Sequence, residues 1–251
     1  MRVALMHLPK TGGTTLHDLL LPNFQKDAVC PERFNNFDRF SDEDLNSYKF
    51  FSAHMDFRNL SRVSSSSYTI TLLREPKQRI LSLYYFWKAQ TRDHIDRHDM
   101  IGPRRAKDMP LREFLEDLPD FLRKDFDNVY VRNLIGPLWT GRGGALMLQG
   151  DDALRIAMRN LLKINEVGFT TEISDLIKRV FSTLKVDPPV QLPRSRAFEN
   201  FGQDDPNTEK VEKEEITPEI DALLDELTFL DRQLYESARI LLEKRGSSED
   251  K

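Results

Sequence analysis

Residues 2–16 read RVALMHLPKTGGTTL, and this stretch decides the fold class. RVALMHL is an almost continuous apolar run that stops at Pro9, the pattern of a short strand buried on both faces of a parallel sheet. From Thr14 to Leu21 the spacing changes to that of a helix. Between them Gly12 and Gly13 let a backbone approach an anion closely. The helix that follows aims its unpaired N–H groups and positive dipole end at the same point. Thr14 and Thr15 can cap that helix and donate hydroxyl hydrogen bonds, and Lys10 adds a full positive charge. The string is not the GxxxxGK[ST] loop of magnesium-dependent nucleotidases, because Lys10 precedes both glycines instead of following the second.

Outward from this loop, residues 48–52 (YKFFS), 68–73 (YTITLL) and 166–169 (EVGF) read as further short strands. Helices are expected from Pro76 to about Gln90, over 111–122, 152–163 and 173–184, and in one long run over 217–244. Residues 187–215, rich in Pro, Asn, Asp and Glu, read as a loop. Strands alternating with helices imply an α/β fold with a central, mainly parallel sheet flanked by helices. Ligands of such sheets bind beyond the carboxyl ends of the strands. There the chain places its chemically unusual residues: His7 to Thr15, His54, Arg74 to Ser82, and Thr170 to Glu172.

Composition narrows the function. With 39% hydrophobic and 31% charged residues the chain has material for one core, and 251 residues suit one domain. We expect that domain over 1–245, with 246–251 as a disordered tail. The net charge of −4 argues against a nucleic-acid binder, so any anion site must be built locally. Cys30 is the only cysteine, which rules out an internal disulfide framework and a multi-cysteine zinc site. The first residues lack the long apolar run of a secretory signal, and no stretch approaches the roughly 20 apolar residues of a membrane span. The expected setting is cytoplasmic, or the soluble catalytic part of an anchored enzyme.

A second anion site is suggested by LLREPKQRILSLYYF, residues 72–86. Arg74 ends a strand and offers a planar fork of donors suited to a phosphate. Ser82 adds a hydroxyl from the following helix. Two anion sites on neighbouring strands suit a ligand carrying phosphates at both ends of a ribose. A third feature is His54 in FFSAHMDF, residues 50–57, placed just past a strand end, where an imidazole can serve as a general base near neutral pH. Glu43, Asp44 and Asp56 are rival bases.

PKTGGTTL resembles the 5′-phosphosulfate loop of sulfotransferases that use the donor PAPS (3′-phosphoadenosine-5′-phosphosulfate). The likeness is to the carbohydrate-modifying group that includes heparan sulfate 2-O-sulfotransferase. That resemblance implies a P-loop-like three-layer fold in which Lys10, Thr11, Gly12, Gly13, Thr14 and Thr15 hold the 5′-phosphosulfate and Lys10 stabilises the leaving oxygen. Residues 72–86 are similar to the family's 3′-phosphate motif, so Arg74 and Ser82 carry over as 3′-phosphate ligands, with Glu75 where Asp is common. FFSAHMDF is similar to a family segment with two histidines; His54 matches the second, and Ser52 replaces the first. NVYVRNLIG (128–136), VGFTTE (167–172) and LDRQLYESA (230–238) are weaker similarities. Arg194 and Arg196, in LPRSRAF, match a late loop that closes over the nucleotide, and no metal is implied.

The expected function is therefore transfer of a sulfonyl group from PAPS, leaving PAP, to a hydroxyl acceptor such as a glycan, with His54 as base and Lys10 at the leaving group. A nucleotide or small-molecule kinase, and a non-catalytic PAP-binding relative, stay open as alternatives. Arg92, Arg97, Arg104, Arg105 and Lys107 make a local basic stretch, which an anionic acceptor or an ordinary exposed loop would explain.

Overall fold

The computed structural model describes residues 1–136, 150–189 and 205–249. Four strands form one sheet: β1 (Arg2–Met6), β2 (Phe50–Ala53), β3 (Ser67–Leu73) and β4 (Glu166–Phe169), in the order β2-β1-β3-β4. Every pairing is parallel. The register brings the carboxyl ends to one edge: Met6 lies beside Ala53 on one side and Thr71 on the other, and β3 runs two residues further, where Leu73 lies beside Phe169. The residue after each strand is then His7, His54, Arg74 or Thr170, so four separate chain segments deliver a polar side chain to one edge.

Helix α1 (Gly13–Leu20) follows β1. Helix α2 (Asp42–Ser47) precedes β2, α3 (Phe57–Ser64) joins β2 to β3, and α4 (Pro76–Lys88) follows β3. Four short helices come next: α5 (Arg92–Arg97), α6 (Ile101–Asp108), α7 (Leu111–Glu116) and α8 (Asp120–Phe126). After them lie α9 (Val129–Ile135), α10 (Gly150–Leu161), α11 (Ile173–Leu184) past β4, α12 (Pro218–Leu227) and α13 (Phe229–Glu249).

Side chains along each strand alternate between two cores, as the pleat requires. Ala4, Met6, Phe51 and Leu73 pack with residues of α3, α9, α10 and α13. Val3, Leu5, Phe50 and Leu72 face the opposite way, against Leu16 and Leu20 of α1 and Leu176 and Val180 of α11. This is the expected three-layer arrangement. A third cluster joins Ile80 and Tyr84 of α4 to α7, α8 and α12 and builds a helical cap beside the sheet. No helix among the described residues is long and apolar enough to cross a membrane.

The strand expectations hold to within a few residues, and two helix expectations need correction. The run over 111–122 is two helices, α7 and α8, because Pro119 cannot sit inside one and instead stands at the N-terminus of the second. The run over 217–244 is also two, and its backbone stays helical to Glu249. The break is long-range in origin. Asn128 Oδ1 accepts from Leu230 N (2.7 Å) and Asp231 N (3.1 Å), capping α13, while Asn128 N donates to Leu227 O (2.8 Å). Asp231 returns the bonds, its carboxylate accepting from Tyr130 N and Val131 N at the start of α9. Burial pushes the Asp231 carboxyl up to about 6, against those two donors. Asn128 and Arg132, with Arg132 paired to Asp127, thus brace helices.

Candidate active site

A cleft of about 1220 Å³ opens at the carboxyl edge of the sheet. His7, Lys10, Gly12, Thr14, Thr15, His54, Arg74, Ser82 and Thr170 all line it. Elements that lie far apart in the sequence, from His7 to Thr170, thereby meet in one place.

The anion loop is shaped by its backbone. Lys10 has φ +67°, a left-handed conformation that strains a residue with a side chain. Gly12 follows at φ +93° as the residue before α1. The loop is pinned from inside: Thr11 Oγ1 donates to Leu8 O (2.8 Å), and Thr170 Oγ1 shares its proton between Thr11 O (2.7 Å) and Leu73 O (3.2 Å). Gly13 has no room for a side chain, since a Cβ there would stand 2.1 Å from His7 Cδ2. Gly12 has no side chain with which to cap the start of α1, and the first turn carries no acid. Its first amides are therefore turned toward the cleft in the arrangement that receives an oxyanion. The Lys10 ammonium lies 4.0 Å from the centre of the Phe86 ring, a cation–π contact.

The second cationic group is Arg74. Tyr130 Oη donates to Arg74 O (2.7 Å) and accepts from Arg74 N (3.0 Å), fixing the backbone where β3 ends. The guanidinium reaches Lys10 O at only 3.5 Å and makes no ion pair among the described residues. Burial lowers its pKa. A half-buried cation without a counter-charge stands ready for an anion. Ser82 lies two turns along α4 on the same wall. Glu75 accepts from Lys77 N and Gln78 N, so it caps α4, which a glutamate does as an aspartate would. Arg79 is fully buried and donates to Asp125 O and Phe126 O, bracing α4 against α8.

His54 is held with a defined tautomer. Its backbone N donates to Arg33 O (2.9 Å), and Nδ1 lies 2.6 Å from His7 O. A carbonyl can only accept, so Nδ1 carries the proton and the neutral ring has its lone pair on Nε2. The His7 ring packs on it at 4.5 Å. Ser52, where the family segment has its first histidine, is buried within β2 and does not line the cleft. Two of the rival bases are structural: Asp56 caps α3 and accepts from Asn35, and Asp44 forms a capping box with Ser41.

The outer wall was not legible in advance. His17, Asp18, Arg33 and Phe34 line it. Arg33 Nη1 lies 3.1 Å from His17 Nδ1; an arginine only donates, so this nitrogen accepts and His17 is neutral with its proton on Nε2. Burial first, then the Arg33 charge, lowers the His17 pKa. Arg33 itself is lowered by burial, and the Phe34 ring is 64% exposed. Toward the α4 side, Phe86, Trp87 and Asp125 complete the wall, and burial raises the Asp125 pKa.

The basic stretch after α4 is otherwise employed. Arg92 pairs with Asp108, Arg104 with Asp96 and Asp99, Arg105 with Asp117, and Lys107 with Glu209. It is helical, and neither it nor His94 and His98 line the cleft. Arg194 and Arg196 lie outside the described residues.

Among solved structures, that of the mouse sulfotransferase SULT7A1 complexed with PAP superposes with a TM-score of 0.49 at 16% identity, over 98% of this chain and 88% of that one. No curated protein sequence matches significantly. The family model described as "Sulfotransferase family" matches residues 2–134, just over half of the chain. By that match, which spans the anion loop, His54, Arg74 and Ser82, the chain belongs to the sulfotransferase family.

Proposed function

We propose that this sulfotransferase takes its sulfonyl group from PAPS and passes it to a hydroxyl of a carbohydrate, in the manner of the heparan sulfate 2-O group. The observation that carries the reading is the pairing of two anion sites in one cleft: a helix start behind Gly12 that has no side-chain cap among the described residues, and a half-buried Arg74 that forms no ion pair among them. These residues fit a nucleotide phosphorylated at both ends of its ribose. Lys10, Thr11, Gly12, Gly13, Thr14 and Thr15 would hold the 5′-phosphosulfate, and Arg74 and Ser82 the 3′-phosphate. Arg194 and Arg196 are proposed to close over the nucleotide.

Bound PAPS would supply an activated sulfonyl group with the 5′-phosphate as leaving group. His54 Nε2 takes the hydroxyl proton as the acceptor oxygen bonds to sulfur. The imidazolium so formed keeps its Nδ1–H on His7 O, which stabilises the charge. Lys10 compensates the electron pair left on the phosphate oxygen. The exposed Phe34 ring offers a sugar a flat apolar surface beside His54, and Arg33 offers donors.

The reading is tested by titrating the protein with PAP without magnesium and then screening glycan acceptors with His54→Ala as control. Acceptor sulfation that survives His54→Ala would remove the base assignment. Transfer from ATP in place of PAPS would move the kinase reading to first place.

A further inference from the structure

The His7 imidazole has no role in the mechanism just given, which uses only its backbone carbonyl. Its placement is nonetheless unusual. The Cδ2–Nε2 edge of the ring occupies the space that a Gly13 side chain would take, with Cδ2 2.1 Å and Nε2 2.6 Å from that Cβ position. Gly13 is the first residue of α1, so this edge lies against the mouth of the anion cradle. On its other side the ring packs against His54 at 4.5 Å, tilted by 44°. His7 N donates to Ala53 O (2.9 Å), which locks the residue across the β1–β2 step. The ring thus sits where the cradle meets the base, and it lines the cleft.

Sulfonyl transfer spreads charge over the oxygens that remain on sulfur while one S–O bond forms and another breaks. A donor at that meeting point is placed to reach those oxygens. We propose that His7 is a catalytic residue that donates a hydrogen bond from Nε2 to an oxygen of the transferring sulfonyl group. The proposal rests on the PAPS reading of the cleft. It explains why Gly13 must lack a side chain: a Cβ would displace the donor from the cradle. His7 forms no bond and keeps its proton; the acceptor proton still goes to His54 and the electron pair to the 5′-phosphate.

The assignment separates two ligands that differ only in the sulfonyl group. Calorimetric titration would compare PAP and PAPS on the full chain carrying His7→Phe, His7→Ala or His7→Gln. His7→Phe keeps a ring against Gly13 without a donor, His7→Gln keeps an N–H, and each keeps the carbonyl that holds His54. Losing one hydrogen bond to a charged oxygen predicts roughly tenfold to hundredfold weaker PAPS binding in the Phe and Ala variants. PAP affinity should stay within about twofold of the parent, since no phosphate contact is lost, and Gln should recover part of the PAPS affinity. Equal weakening of PAP and PAPS in His7→Phe would assign the ring a packing role and overturn the proposal, as would unchanged PAPS binding. An unsubstituted protein that binds neither ligand would instead overturn the PAPS reading beneath it.

Discussion

Two groups of cations in this acidic chain differ in what neutralises them. Along α5 and α6, Arg92, Arg104, Arg105 and Lys107 each meet a carboxylate. At the carboxyl edge of the sheet, Arg74 and Arg33 meet none among the described residues, and burial lowers both pKa values. The stretch that is denser in positive charge along the sequence is therefore the poorer anion site. Charge becomes available to a ligand where the fold withholds the counter-ion, because a half-buried cation recovers its lost hydration only when an anion arrives.

Substitutions can break this contrast, and the largest effect should come at Lys10. Removing one charge-stabilising group from a transfer site costs about 10²–10³ in rate, so Lys10→Ala should lower PAPS turnover by that factor. A steady-state assay checks it. At Arg74, loss of a charged hydrogen-bonded contact predicts about a hundredfold weaker PAP binding. The melting temperature without ligand should hold or rise, because the substitution removes a half-buried charge that forms no ion pair among the described residues. With PAP present it should fall below the parent. Arg74→Lys should recover only part of the affinity, since a point charge cannot reproduce the fork.

Asp231 sharpens the comparison from the other direction, being buried, charged and structural. Asp231→Ala orphans the buried N–H groups of Tyr130 and Val131, at about 1–3 kcal/mol each. Denaturant unfolding should show that loss while PAP affinity in the folded protein stays unchanged. Its pH dependence has a definite sign. Burial raises the folded-state pKa to about 6, above the ordinary value of 3.8. The folded protein therefore binds more protons than the unfolded chain across the interval, and this contribution to stability falls as pH rises from about 4 to about 6. Asp231→Asn should remove that slope. The smallest effect is expected at Arg104, an exposed pair: Arg104→Ala should leave PAP affinity and melting temperature unchanged.

These effects also mark what the sequence could show. Contiguous patterns were legible: an apolar strand running into Lys10–Thr15, a second strand running into Arg74 and Ser82, and His54 after a third. Each puts its apolar residues and its polar residue side by side in the chain. The outer wall is different. Arg33 and Phe34 come from a segment with no periodic pattern, and they reach the cleft because the backbone beside them pairs with the end of β2, as His54 N to Arg33 O shows. The break between α12 and α13 is set by Asn128, about a hundred residues earlier. The basic stretch stays open between an anionic acceptor and an exposed loop when read alone, since Glu209, the partner of Lys107, comes from a distant part of the chain. His7 is visible in the sequence as the residue past an apolar run, but the contact of its ring edge with Gly13 is seen only in the folded loop.

Whether the two anion sites of this cleft together take a 3′,5′-bisphosphorylated nucleotide is decided by magnesium-free calorimetric titration with PAP and, in parallel, AMP. The account predicts micromolar binding of PAP and much weaker binding of AMP, which lacks the group assigned to Arg74 and Ser82. No PAP binding, or equal affinity for the two nucleotides, would contradict it.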